Sequence, residues 1–282
     1  MATFLWDEIV FGPIHSRRVG RSLGINLLPR EAKVCSFDCV YCECGGLKRG
    51  AAKYPLPTLD QVREAIEGRF AALAAEGTGI DSISFTGNGE PTLHPDFAAI
   101  IGITLAAREK WFPKAVVSVF TNATRLDHPE VVEALKKVDN PILKIDCALD
   151  DMAKVMNRPR KGYKVEKTVE QMKAFGGDFV MQTMLIRGSV VDNTTPEALE
   201  AWYSVVRELN PREIMLYSVS RDTPVAGIVK VPAEELAKAA APLVAEGFNI
   251  QINVKTGHHS NIRWSILRIG ARMTMKLFIN CG

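Results

Sequence analysis

The sequence predicts an α/β fold on a parallel sheet, a partial (β/α)6 TIM-like barrel, and three observations carry that prediction. Short apolar runs rich in Val, Ile and Phe alternate with longer stretches of helical periodicity, the pattern of strands joined by crossover helices. Several helical stretches open on a capping side chain or a first-turn proline. The residues least suited to packing fall just after the apolar runs, at the strand ends where β/α barrels gather their chemistry.

Taken in chain order, "SLGINLLP" (residues 22–29) is the first core strand, and the cysteines follow it. Thr58 ahead of "LDQV" starts a helix over 59–76, and "SISFT" (82–86) is the second strand, running into "GNGEP". A helix over 96–109 leads to "AVVSVFT" (115–121), which ends at "TNA". Asp127 ahead of "HPEVVEAL" starts a helix over 129–138, before the strand "ILKIDCAL" (142–149). A helix over 164–175 precedes "FVMQTMLI" (179–186), and Thr195 ahead of "PEALEAW" starts another over 195–209. "EIMLYSV" (213–219) follows and runs into "SRDTP"; a last helix over 233–246 leads to "NIQINV" (249–254), an extra C-terminal strand. Such boundaries hold to about two to four residues. No repeat, low-complexity tract or Ser/Gly-rich linker divides the chain, so one domain over 1–282 is expected. Its core barrel spans about 23–222, with a basic segment at 247–282. An open doubly wound sheet is the structural alternative.

A content of 47% hydrophobic and 24% charged residues is enough for a sizeable buried core. The opening "MATFLWDEIVFGPIHSRR" has acids inside its short apolar region and no small-residue cleavage site, and no run of about eighteen apolar residues occurs. A cytoplasmic protein with no transmembrane segment and no membrane partner is expected. The net charge is only +3, but residues 11–30 carry Arg17, Arg18, Arg21 and Arg30 without an acid. Residues 247–282 carry Lys255, Arg263, Arg268, Arg272 and Lys276, again without one. These are solvated ends or phosphate-binding patches.

Six cysteines are too few for a disulfide scaffold in this chain, and four of them, Cys35, Cys39, Cys42 and Cys44, fall within ten positions. Cys35-x3-Cys39-x2-Cys42 puts three thiolates on one tight loop, enough to hold three corners of a cuboidal iron–sulfur cluster and leave one iron without a protein ligand. A zinc site closed by Cys44 and a set of inert buried cysteines are the alternatives.

The segment "CSFDCVYC" resembles the Cys-x3-Cys-x-aromatic-Cys signature of radical S-adenosylmethionine (SAM) enzymes, with Tyr41 as the aromatic. "GNGEP" (87–91) resembles that superfamily's Gly-Gly-Glu element after the second strand, with Asn88 in place of the second glycine. The similarity covers about residues 12–222. "SRRVGRSLGINLLP", "GNGEPTLHPDF" and "YSVSRDTP" look most like the wyosine-synthase-like branch, which includes enzymes that build a tricyclic base in tRNA. The resemblance implies a barrel of the radical SAM type and a [4Fe–4S] cluster on Cys35, Cys39 and Cys42. SAM binds the fourth iron through its amino and carboxylate groups and is cleaved reductively to methionine and a 5′-deoxyadenosyl radical, which abstracts hydrogen from substrate. A reductant such as flavodoxin or ferredoxin is the implied partner.

Gly87 and Gly89 suit a loop whose backbone approaches the methionine moiety of SAM and adopts positive φ, and Glu90 and the local carbonyls suit its ammonium; a Gly-rich turn with an exposed Glu is the alternative. Tyr41 packs near the adenine by resemblance, or shields the cluster. Asn122 lines the SAM site or is a turn residue. Lys144 and Asp146 share one face of their strand and Cys147 the other. Asp146 is therefore a ribose or substrate contact, or half of an interior ion pair with Lys144, and Cys147 is core. Gln182 is too polar for a barrel strand unless something polar faces it, which places it near the SAM carboxylate or the substrate. Tyr217, Arg221 and Asp222 are substrate-side candidates or a rim network.

The wyosine enzymes carry further cysteines ahead of the radical SAM triad, and here none precedes Cys35. Cys44, Cys147 and Cys281 do not obviously replace them. His258, His259 and Cys281 sit in a tail that either covers the barrel mouth or is disordered. Three function classes stay open: a radical SAM enzyme acting on a tRNA base or small molecule, a glycyl-radical-enzyme activase acting on a protein partner, and a non-enzymatic metal-stabilised scaffold.

Overall fold

The computed structural model describes residues 4–16, 20–47, 50, 53–256, 260–269 and 272–279, with only the backbone described at 15, 16 and from 253 onward. Its contacts divide the chain into two compact units, one of residues 2–38 and 44–142, the other of residues 39–43 and 143–282.

In the first unit β1 (Val10–Ser16) pairs antiparallel with β2 (Gly20–Ile25), and β2 pairs parallel with β3 (Ser82–Phe85). The crossover from β2 to β3 carries the cysteine loop and α1 (Leu59–Ala75). Thr58 caps α1 as expected, its side chain accepting from Gln61 N while the Gln61 side chain returns to the Thr58 amide. Val62, Ile66, Phe70 and Leu73, at helical spacing, are its buried face, and Phe70 meets Phe112 edge to face at 5.6 Å. After α2 (Phe97–Trp111), β4 (Val116–Thr121) pairs parallel with β3, and α3 (Pro129–Leu135) follows. The expected cap of α3 is displaced by one residue: its N-cap is His128, which makes no side-chain cap bond, and Pro129 opens the first turn. Because β2, β3 and β4 run in parallel register, their ends at Ile25, Phe85 and Thr121 lie at one sheet edge. The cysteine, "GNGEP" and "TNA" segments leave from that edge.

The strand β5 (Asn140–Lys144) carries the chain into the second unit. There follow α4 (Asp150–Met156), α5 (Val165–Met172), β6 (Val180–Met184), β7 (Ile186–Gly188), α6 (Pro196–Leu209) and β8 (Glu213–Tyr217). The unit closes with β9 (Ile228–Lys230), α7 (Ala233–Ala245), β10 (Ile250–Thr256), β11 (Ser260–Ile269) and β12 (Arg272–Ile279). β6, β8 and β10 are parallel neighbours, and β7 pairs antiparallel with β9 in a small separate sheet. Trp202 on α6 is fully buried and donates from Nε1 to Thr183 Oγ1 at 3.1 Å. Thr183 therefore faces the helix, and by strand alternation Gln182 and Met184 take the opposite face.

The mostly parallel α/β class is the one the sequence predicts. Four short elements were not anticipated: β1, β7, β9 and α4. The C-terminal segment holds more than one extra strand, since β10, β11 and β12 form an antiparallel meander where a covering or disordered tail was the expectation. Arg268 and Arg272 lie on the backbone of β11 and β12, while Arg17, Arg18, His258, His259 and Cys281 lie outside the described residues.

Candidate active site

In the first unit the residue before Cys35 is fastened to the loop after β3. Val34 N donates to Asn88 O at 2.9 Å, and Glu90 N donates to Val34 O at 3.0 Å, a parallel bridge between Val34 and Gly89. The glycines make this approach possible. Gly89 has φ +142°, and a Cβ there would lie 1.9 Å from Val34 O; Gly87 has φ +155°, and a Cβ would lie 2.3 Å from Asn26 Oδ1. A Cβ at either glycine would therefore meet protein.

Asn88 explains why this position is not glycine. Its buried side chain accepts from Trp6 N at 2.8 Å and donates to Trp6 O at 2.7 Å and Pro29 O at 2.8 Å, tying the N-terminal segment to the loop. The side-chain amide is thus spent on the protein, and the backbone N–H donates to Asn26 Oδ1 at 3.1 Å. Lys33, also buried, donates to Asp38 Oδ1 at 3.3 Å and Gly45 O at 3.0 Å, bracing the cysteine loop near both ends. The Cys44 thiol donates to Gly87 O at 3.3 Å.

Glu90 is not an exposed acceptor but a buried hub. Its Oε1 accepts from Thr92 N (3.1 Å), Thr92 Oγ1 (2.6 Å) and Thr121 Oγ1 (2.7 Å), and Oε2 accepts from Asn122 N (2.7 Å). Burial raises its pKa above the usual carboxyl value, and these hydrogen bonds pull the other way. Asn122, held by Glu90, has Nδ2 2.8 Å from Ser36 Oγ and 3.5 Å from Cys35 Sγ, and its Oδ1 accepts from Thr124 N at 3.1 Å.

The second unit holds Cys39, Tyr41 and Cys42 beside the end of β5. Val40 N donates to Met156 O at 2.9 Å and Cys42 N to Cys39 O at 3.1 Å. Tyr41 is buried and donates its hydroxyl proton to Asp146 Oδ2. Asn157, just past α4, donates from Nδ2 to the same oxygen at 2.7 Å; that nitrogen is 3.3 Å from the Tyr41 hydroxyl and 3.5 Å from Cys39 Sγ. Asp146 Oδ1 accepts from Met184 N at 2.9 Å and pairs with Lys144 Nζ at 3.2 Å, and Lys144 donates to the Tyr217 hydroxyl at 3.1 Å.

Of the two readings of Asp146, the interior ion pair is the one present, and its carboxylate has no exposed edge. Burial, the largest single influence, would lower the Lys144 pKa, but the Asp146 charge together with Tyr217 and Cys39 outweighs it and holds Lys144 above its usual value. Burial foremost, then the Asp146 charge, pushes Tyr41 well up, so its proton stays on the hydroxyl. Burial also raises the Cys39 thiol, opposed by the Lys144 charge and the Asn157 hydrogen bond.

Gln182 is buried on the β6 face opposite Thr183. Arg221 pairs with Glu43 at 2.6 Å on the surface, a rim contact, and Asp222 is exposed. Cys147 is core, against Met156, with burial pushing its thiol pKa up. Asn157, Asn193, Thr92 and Thr121 were not read from the sequence. Asn193 fixes the β5 end by donating to Asp146 O at 2.9 Å and Met184 O at 2.8 Å. A polar residue after a short helix, as in "VMNRP", was the only signal for Asn157.

The donor set fits a cluster. Cys35, Cys39, Cys42 and Cys44 are half-buried and not joined in disulfides, and amide hydrogens face two of the sulfurs. Among the described residues no three or more His, Cys, Asp or Glu side chains are gathered as a single-ion site. A cluster, which takes one thiolate per iron, does not require that convergence.

Residues 32–200 match the family model described as the radical SAM superfamily. A UPF0026 protein of Methanocaldococcus jannaschii is 30% identical over 233 residues, 81% of this chain and 68% of its own length. A UPF0026 protein of Synechocystis is 33% identical over 221 residues, 76% of this chain and 77% of its own. The solved structure of a radical SAM methyltransferase from Sphaerobacter thermophilus has the same fold, with a TM-score of 0.61 at 16% identity; the match covers 82% of this chain and 65% of that one. No helix among the described residues is long and apolar enough to cross a membrane.

Proposed function

The chain belongs to the radical SAM superfamily, whose cofactors are a [4Fe–4S] cluster and SAM, and on that premise we propose that it is a radical SAM enzyme whose cluster is ligated by Cys35, Cys39 and Cys42. The backbone bridge from Val34 to Gly89 carries this reading, because it fastens the first cysteine to the "GNGEP" loop within the span that matches the superfamily. Three thiolates leave one iron for SAM. When bound, the two cofactors supply a 5′-deoxyadenosyl radical by one-electron reductive cleavage of SAM, and that radical takes a hydrogen atom from substrate.

The protein's own share is placement. The carbonyls of Gly87, Asn88 and Gly89 accept from the SAM ammonium, and Glu90 acts from behind by holding Thr121 and Asn122. Tyr41, locked by Asp146, presents its ring to the adenine. Gln182 is the polar group turned toward SAM carboxylate or substrate. The motifs that resemble the wyosine-synthase-like branch favour a tRNA base or a small molecule as substrate, with flavodoxin or ferredoxin as electron donor in the cytoplasm.

Anaerobic reconstitution should give about four irons and four sulfides per chain, and reduced protein with SAM should release 5′-deoxyadenosine and methionine. Cys35→Ala, Cys39→Ala and Cys42→Ala should each abolish both, and Cys44→Ala neither. Stoichiometric zinc, with spectra unchanged by Cys39→Ala, would overturn the cluster. An intact cluster without SAM cleavage under strong reductant would leave the scaffold. Deuterium passing into 5′-deoxyadenosine from a labelled protein loop, and not from tRNA, would make the chain an activase.

A further inference from the structure

We propose that Asn122 and Asn157 are positioning residues that hold an N–H on the sulfurs of Cys35 and Cys39 and so raise the reduction potential of the cluster, an inference that rests on the ligand assignment above.

The orientation of each amide is fixed by its neighbours. Asn157 faces Asp146 Oδ2 at 2.7 Å, and a carboxylate only accepts, so the atom there must be the nitrogen. That nitrogen has a second hydrogen, and the groups left for it are the Tyr41 hydroxyl at 3.3 Å and Cys39 Sγ at 3.5 Å. For Asn122 the logic runs from the oxygen. The Thr124 amide only donates, at 3.1 Å, so the facing atom is Oδ1 and Nδ2 must point to Ser36 and Cys35. One hydrogen goes to Ser36 Oγ at 2.8 Å and one remains for sulfur.

Both asparagines are anchored behind the amide by a buried carboxylate. Glu90 Oε2 accepts the Asn122 backbone N–H at 2.7 Å, and Asp146 Oδ2 accepts the Asn157 side chain. The carboxylates are 2% and 4% exposed, so neither anchor is open to water. The same arrangement, carboxylate to asparagine to thiol, thus occurs in each unit by itself. A hydrogen bond to a ligating sulfur stabilises the more electron-rich, reduced cluster, which makes the potential less negative.

The test is a redox titration of the reconstituted full-length protein, followed by the electron paramagnetic resonance signal of the reduced cluster. Asn157→Leu and Asn122→Leu should each give about tenfold less reduced cluster at a fixed potential, equal to about 59 mV for one electron. After exchange into heavy water, the reduced wild-type cluster should show coupled exchangeable deuterons, one set of which each variant loses, a signal that a merely structural role would not move. Full iron content with an unmoved potential in both variants would overturn the inference while leaving the ligand assignment intact. Loss of iron from the wild type would instead strike that assignment. Should either variant fail to fold, the wild-type signal decides: it must show deuterons beyond the one that the Phe37 backbone N–H places on Cys35 Sγ at 3.4 Å, and their absence overturns the proposal.

Discussion

Glu90 in the first unit and Asp146 in the second each hold an asparagine, one by its backbone and the other by its side chain, and are neutralised differently. Glu90 is buried with four neutral donors and, among the described residues, no ion-pair partner, and its pKa is raised. Asp146 has a cation, Lys144, within 3.2 Å, together with the Tyr41 hydroxyl, Asn157 and the Met184 amide. Hydrogen bonds alone hold a buried carboxylate in place yet leave part of its desolvation cost standing. A buried counter-charge removes more of that cost and creates a second charge that depends on the first. The two units should therefore fail differently when the carboxylate is altered.

The largest effect is expected at Asp146. Asp146→Asn leaves Lys144 buried without its counter-ion and sets an amide hydrogen against groups that already donate. Breaking a buried pair by removing one partner costs about 3–5 kcal/mol, measured as a lower denaturation midpoint at an unchanged slope. A loss below about 1 kcal/mol would mean that Tyr217 alone satisfies Lys144 and that the cation is not what distinguishes the two carboxylates.

Glu90→Gln should cost less, about 1–3 kcal/mol. No charge is orphaned, but Gln keeps one acceptor for four donors, and its Nε2 meets the Asn122 amide. The pH dependence carries a definite sign. The native pKa of Glu90 lies above the ordinary value of 4.5, so over the window between them the folded state holds a proton that the unfolded chain has released. The stability contributed by this group is fully present below the unfolded value and declines as pH rises through the native one. Glu90→Gln should lack that decline; an identical slope in variant and wild type would assign it to another group.

Much of this architecture was legible, and the rest was hidden for identifiable reasons. The helix starts at Thr58 and Thr195 were readable because a capping side chain acts within three residues of itself, and both caps are made. At α3 the same rule misplaced the cap, since Pro129 already satisfies the first-turn requirement and no side-chain bond is needed. The cysteine loop and its glycine partner were legible as motifs, but the reason for the glycines was not. It lies in Val34 for Gly89 and in Asn26 for Gly87, each more than fifty positions away in the chain. Asn157 reaches Cys39 across a sequence separation of 118, and no local pattern reports such a pairing. The meander of β11 and β12 was available and overlooked. "NIRWSI" and "MTMKL" alternate with a two-residue period, while the acid-free charge pattern of the same segment points to solvated ends or phosphate-binding patches.

The smallest and most discriminating change is Thr92→Val, which keeps the shape of a buried side chain and removes one donor from Glu90. Thr92 Oγ1 lies 2.6 Å from Glu90 Oε1, while the Thr92 backbone N–H continues to donate to that oxygen. One hydrogen bond to a carboxylate is lost out of four and no new charge is exposed, so a cost of about 0.5–1.5 kcal/mol is expected near neutral pH. The bond favours the ionised form, so losing it should raise the Glu90 pKa further and widen the window in which stability falls with rising pH. The deficit should therefore shrink in acid, where Glu90 is protonated in both proteins. A loss equal at neutral and acidic pH would mean that Thr92 acts through packing alone. In that case the first unit's carboxylate, like the second's, depends on something other than its neutral donors.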